Sequence, residues 1–191
     1  MAVQFDEDEF TSGVGFLSFL KSKKAKTSQV GDLPSRVPLA VDLGRFKVGS
    51  SSLGELPDND DFFSQVLHRS DVYEDPIHGV ELGVENRVLG YAFISVTEFD
   101  GRFLKNGEPT EISKNSLEAD VRACFGEPYW IDRSDGEVIL FYEYAGGSVE
   151  LQFEFPDAES LGFVTMTRNG VLSTAEQRKS YGVDKPWPPE S

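Results

Sequence analysis

The chain predicts an α+β fold: an antiparallel sheet built from two tandem helix-plus-β-hairpin repeats, with short helices packed on one face. Three observations carry this expectation. Residues 149–155, VELQFEF, alternate Val149, Leu151, Phe153 and Phe155 with Glu150, Gln152 and Glu154, the period of a strand that turns one face to a core and an acidic face to water. Upstream, Leu117, Val121, Cys124 and Phe125 share one side of a helix that Asn115 and Glu118 open with capping-box spacing. Gly126 stops that helix and Pro128 prevents its return. Finally, the order of capped helix, Pro-containing turn, hairpin and third strand recurs after roughly 60 residues. Ser52-Leu53 matches Ser116-Leu117, GVELGVE matches GEVILFYE, and LGYAFISV matches SVELQFEF.

Taken in order, residues 1–36 form an N-terminal arm and linker. Asp6, Glu7, Asp8 and Glu9 precede GVGFLSFL, and Lys21, Lys23, Lys24 and Lys26 follow it, the charge order that a helix dipole prefers. Phe16, Leu17, Phe19 and Leu20 either dock that helix on the body or rest at a membrane or partner surface. SQVGDLPSRVP, with its Gly and two prolines, leads into a single body, residues 37–191.

Repeat one spans about 45–112. LAVDL and RFKVG have strand character, and Asp58 caps a short helix, DNDDFFSQVL, whose Phe62, Phe63, Val66 and Leu67 form an apolar face. YEDPIHG makes a turn before the antiparallel pair GVELGVE and VLGYAFISV. Repeat two spans about 113–170. After its helix, Asp135-Gly136 turns the chain into EVILFYEY, a strand apolar on nearly both faces, and AGG returns it as SVELQFEF. LGFVTMTRNG is a third strand. The C-terminal tail, 171–191, holds a short helix from Ser173 and a Pro-rich end in which Trp187 packs back on the body.

A content of 39% hydrophobic residues with 15 Phe supplies material for a core over the 191 residues. Against 18 basic residues stand 33 acidic ones, a formal net charge of -15, which excludes the basic footprint that nucleic acid requires and points to a basic protein partner. The lone Cys124 excludes a disulfide framework and a multi-cysteine zinc site; it falls at an apolar helix position. The start MAVQFDEDEF is acidic where a secretion signal is basic, and no run reaches the ~20 apolar residues of a span. The expectation is therefore a cytoplasmic protein without stable membrane insertion.

Catalytic chemistry has little to work with. His68 and His78 are the two histidines, and neither stands in metal or catalytic spacing. Acids in the turns around Asp58 and Asp135 have a structural reason to be there, as caps and turn formers. DRSDGE lacks the alternating ligands and distal Glu of a calcium loop, and no GxxxxGK[ST], GxGxxG or GxSxG occurs. No catalytic residue, metal ligand or cofactor is expected, and the chain is not expected to be an enzyme.

What stands above background is the run from Asp132 to Glu159, with eight acids and one base, Arg133, bordered by Tyr129, Trp130, Tyr142 and Tyr144. Aromatic anchors with a charged rim compose a protein interface. The candidate partner-binding residues are Asp58, Asp60, Asp61, Tyr129, Trp130, Asp132, Asp135, Glu137, Glu150 and Glu154. A solvated sheet face with its aromatics in the core is the competing account of the same residues.

The order helix, Gly-x-Pro, turn, strand, strand in VRACFGEPYWIDRSDGEVILFYEY resembles the repeat of the β-lactamase-inhibitor protein and of the small outer-membrane-assembly lipoproteins. The signal and lipid-bearing cysteine of the latter have no counterpart here. In acidity and lack of catalytic groups the chain also resembles bacterial toxin immunity proteins. These resemblances imply a cytoplasmic immunity or inhibitor protein that neutralises a basic cognate toxin, such as a nuclease, by occlusion. The alternative is a non-catalytic structural or regulatory interaction module of a bacterial assembly.

Overall fold

The structure, a computed structural model, describes residues 38–55, 72–75 and 79–189. Strands dominate it. In chain order they are β1 (Ala40–Asp42), β2 (Lys47–Val48), β3 (Ser51–Ser52), β4 (Val72–Asp75), β5 (Val80–Glu85), β6 (Val88–Ser95), β7 (Arg102–Lys105), β8 (Glu108–Pro109), β9 (Trp130–Asp132), β10 (Val138–Tyr144), β11 (Val149–Phe155) and β12 (Phe163–Arg168). Two short helices accompany them, α1 (Glu118–Phe125) and α2 (Ala175–Ser180).

The strands form two sheets. The smaller runs β3-β2-β1-β7-β8, with β1 and β7 parallel. The larger, antiparallel throughout, runs β4-β5-β6-β12-β11-β10-β9. Asn86 and Arg87 join β5 to β6 and both have positive φ (52° and 69°), the backbone a tight hairpin needs. Asp135 (φ 53°) and Gly136 (φ 82°) do the same ahead of β10. The expected hairpin is present: β10 and β11 pair from Val138↔Phe155 to Tyr144↔Val149.

One face of the larger sheet supplies Leu82, Ala92, Ile94, Leu140, Leu151, Phe153, Val164 and Met166 to the main core, where Val41, Leu43 and Val48 of the smaller sheet meet them. Helix α1 closes this core with Val121, fully buried, and with Phe125, whose ring lies 5.0 Å from that of Phe153. Buried Asp42 ties the smaller sheet together, because its Oδ1 accepts N–H bonds from Gly44, Arg45 and Asn106 at 3.1, 3.0 and 2.9 Å.

Several expectations need correction. Tandem repeats are not shown: the strands of 45–112 divide between the two sheets, whereas those of 113–170 all lie in the larger one. Helix α1 begins at Glu118, with Leu117 as N-cap and Asp120 accepting the Leu117 N–H at 2.8 Å. Glu118 is unavailable for the capping box because Arg122 and Arg133 hold its carboxylate. Leu117 is consequently exposed, although Gly126 ends the helix as expected, at φ 85°. Residues 73–75 of the expected turn YEDPIHG belong to strand β4. The arm 1–36, the helix around Asp58, Asp60 and Asp61, and both histidines lie outside the described residues.

The largest correction concerns the face of β11 expected in water. Glu150 and Gln152 are 0% exposed and Glu154 is 2% exposed. A C-terminal strap covers them: a single 3-10 turn (Val171–Ser173), then α2, then the Pro-rich end. Fully buried Leu172 enters a second, smaller core with Ile139 and Phe141 of β10, and Tyr181, Val183 and Trp187 pack around it. Among the described residues no helix is long and apolar enough to cross a membrane.

Candidate functional site

The run from Asp132 to Glu159 resolves into an exposed rim and a buried seam. The rim lies at one end of the larger sheet. Because Val138 pairs with Phe155, the turn 133–137 and the loop 156–160 are neighbours there. Asp135, Asp157 and Glu159 are exposed, and Asp132 and Glu137 half-buried. Arg133, the one cation of the run, is committed elsewhere: its guanidinium meets both oxygens of Glu118 at 2.7 Å. That hydrogen bond, together with the charges of Arg133 and Arg122, holds the Glu118 carboxyl below its ordinary range. Among the described residues no cation is paired with the rim acids.

The seam is the space between the strap and β9–β12. Glu150 is its anchor. Its Oε1 accepts the Val171 N–H at 2.9 Å and its Oε2 the Leu172 N–H at 3.0 Å, satisfying the first donors of the strap's turn, and the Gln152 amide also donates to it. Gly170 precedes this turn because a Cβ there would collide with the Glu150 carboxyl. Further along, the Tyr129 hydroxyl donates toward the Lys185 and Pro186 carbonyls and the Lys185 ammonium donates to the Tyr129 carbonyl at 2.6 Å. Arg178 donates to the Leu172 and Ser173 carbonyls and lies 4.5 Å above the Trp187 ring. Trp187 meets Tyr129 edge-on, and Tyr181 meets Phe141 likewise.

Opposite Glu150 in the register stands Glu143. Both of its oxygens are buried without a hydrogen-bond partner among the described residues, as are Glu154 Oε1, Gln152 Oε1, Thr165 Oγ1 and Trp130 Nε1. Burial, reinforced by the neighbouring Glu150 and opposed by Arg178, pushes the Glu143 carboxyl up to about 10. Burial with the charge of Glu137 behind it pushes Glu154 up to about 7. Tyr181 is pushed up to about 12, first by burial and then by the carboxylates of Asp132, Glu150, Glu154 and Glu137.

The candidate residues therefore separate. Asp132, Asp135 and Glu137 share the rim, Tyr129 and Trp130 hold the strap, and Glu150 and Glu154 lie beneath it. Glu143, Gly170 and Arg178 complete the seam and were not among the candidates. One sequence signal does point to them: a strand as apolar on both faces as VILFYEY needs cover on both, so its hairpin partner is covered as well. Among the described residues no group of three His, Cys, Asp or Glu side chains is placed to hold a metal ion. No protein-family profile matches the chain, and neither curated proteins nor solved structures include one that matches it.

Proposed function

We propose that the chain is a non-catalytic immunity or inhibitor protein that captures a basic cognate toxin and neutralises it by occlusion. The observation that carries this reading is the rim: five acids from the end of β9 and two adjacent loops at one end of the larger sheet, with Arg133, the cation of that stretch, tied to Glu118. Uncompensated like charges on a fixed surface attract a basic partner over about a Debye length, ~8 Å at physiological salt. The buried carboxyls beneath the strap favour binding over catalysis, because Glu150 is occupied by backbone N–H groups and covered.

The test is association with the basic protein recovered by affinity capture from the host. The variant carries Asp135→Lys, Glu137→Lys, Asp157→Lys and Glu159→Lys. Wild type is expected to associate faster at low salt, and the variant at least tenfold more slowly with an unchanged circular dichroism spectrum. An on-rate insensitive to salt and to all four substitutions would remove the rim from the interface.

A further inference from the structure

Beyond Asn169, whose N–H donates to the Ser148 carbonyl at 3.0 Å, the strap is held to the sheet by side chains and by two N–H bonds to a carboxylate, and its residues pair with no strand of the sheet. Beneath it lie carboxyls for which this closed arrangement supplies no counter-charge in hydrogen-bonding contact. We propose that residues 170–189 are a proton-operated clasp, closed over β9–β12 while Glu143 and Glu154 keep their protons and released when those protons are lost.

The geometry sets the direction. Glu143 and Glu150 face each other across one register pair, and the two N–H groups that the strap brings to this pair both go to Glu150. Among the described residues no N–H donor reaches the buried oxygens of Glu143 in the closed form, and its close neighbour is the Glu150 carboxyl, so its ionised form is disfavoured there. Arg178 of α2 is the cation facing it, but its guanidinium is engaged by the Leu172 and Ser173 carbonyls and the Trp187 ring. Among the described residues Tyr129, from the segment before β9, is also close enough for its hydroxyl to feel the Glu143 charge. Around Glu154 stand Glu137 from the end of β10 and Tyr181 from the strap, the latter also within the field of Asp132. Among the described residues the charged neighbour of Glu154 is a carboxylate, and at Glu143 two facing carboxyls share one already engaged cation, so each proton lost adds repulsion that opening relieves.

Opening hydrates these carboxyls and returns them to the ordinary range. With Glu154 held near 7 and Glu143 near 10 in the closed form, closure is strongest in mild acid and weakens from the ordinary value of 4.5 up to about 7 for Glu154 and up to about 10 for Glu143. For each group the open-to-closed ratio increases by up to about tenfold per pH unit inside its window. The opened face presents Glu143, Glu150 and Glu154 beside Trp130 and Phe141. This proposal concerns the isolated chain and stands or falls independently of the toxin reading.

The two tryptophans, Trp130 and Trp187, both border the seam, so their fluorescence reports closure directly. The experiment follows this emission, and amide hydrogen exchange at Val171, Leu172 and the core residue Leu151, from pH 5 to 9. After correction for intrinsic exchange rates, Val171 and Leu172 should lose at least tenfold of their protection across this range while Leu151 keeps its own, with a red shift in emission. Glu154→Gln should reduce the loss of protection below about pH 7 and leave that above it, and Glu143→Gln with Glu154→Gln should leave the strap protected throughout. Strap protection in wild type that is constant with pH, or that falls in parallel with Leu151, overturns the proposal whether or not the variants fold. So does an unchanged response in the folded double variant.

Discussion

At the scale of single residues, burial and chemistry part company on β11. Glu150 is as buried as Leu151, yet the two are buried for different reasons. Leu151 fills the main core, whereas Glu150 terminates the strap's turn by accepting two N–H bonds that otherwise have no partner. That arrangement depends on Gly170. Gly170→Ala places a methyl against the Glu150 carboxyl, and we expect a cost of about 1–3 kcal/mol from overpacking, measured as a lowered urea midpoint. On the opposite face, Phe153 is fully buried between Phe125 and Tyr142. Phe153→Ala should cost about 3–5 kcal/mol through lost burial and the residual cavity. An unchanged midpoint for Phe153→Ala would contradict its place in the main core.

At the scale of elements, the local signals were legible and the tertiary ones were not. The turn at Asp135-Gly136, the AGG connection, the hairpin register and the Gly126 stop all follow from backbone preferences of the residues present. The capping box moved because an ion pair formed across the fold draws Glu118 toward Arg133, which spacing along the chain does not encode. Glu150 and Glu154 were expected in water because alternation reports two unlike faces, without saying that the polar one is wet. Their cover is sequence-distant, a Pro-rich tail with little periodicity whose Leu172, Tyr181 and Trp187 match Ile139 and Phe141. The rim acids Asp132, Asp135 and Glu137 were legible as charges at or near the surface, whereas the surroundings of Tyr129, Trp130, Glu150 and Glu154 were hidden because the strap decides them. Ending the chain after Asn169 should therefore expose Ile139 and Phe141. Expected outcomes are a lowered denaturant midpoint and new binding of a hydrophobic dye, with the β-sheet circular dichroism signal retained. A truncated chain that binds no dye and keeps the full midpoint would show that the strap adds nothing to the second core.

At the scale of the whole molecule, the buried carboxyls determine how stability depends on pH. A carboxyl raised in the folded state binds its proton more tightly there than in the unfolded chain, so stability falls as pH rises from the ordinary carboxylate range to the folded value. For Glu154 this window runs from about 4.5 to about 7, and for Glu143 from about 4.5 to about 10. Glu118 has the opposite sign: lowered by Arg133, it contributes stability above its ordinary range, and that contribution is lost in acid. Tyr181, raised to about 12, contributes below its ordinary value of 10 and loses that contribution in strong base. Together these groups place maximum stability in mild acid. The formal charge of -15 adds general repulsion with the same sign above that maximum, so wild type alone does not separate the causes. Two variants do. Urea midpoints from pH 5 to 9 should decline in wild type; Glu154→Gln should flatten the decline below pH 7 while keeping it above, and Glu143→Gln should reduce the slope across the whole range. General repulsion would be nearly the same in both variants, since each removes at most one charge, so retention of the full wild-type slope in both would assign the pH dependence to the surface rather than to the seam.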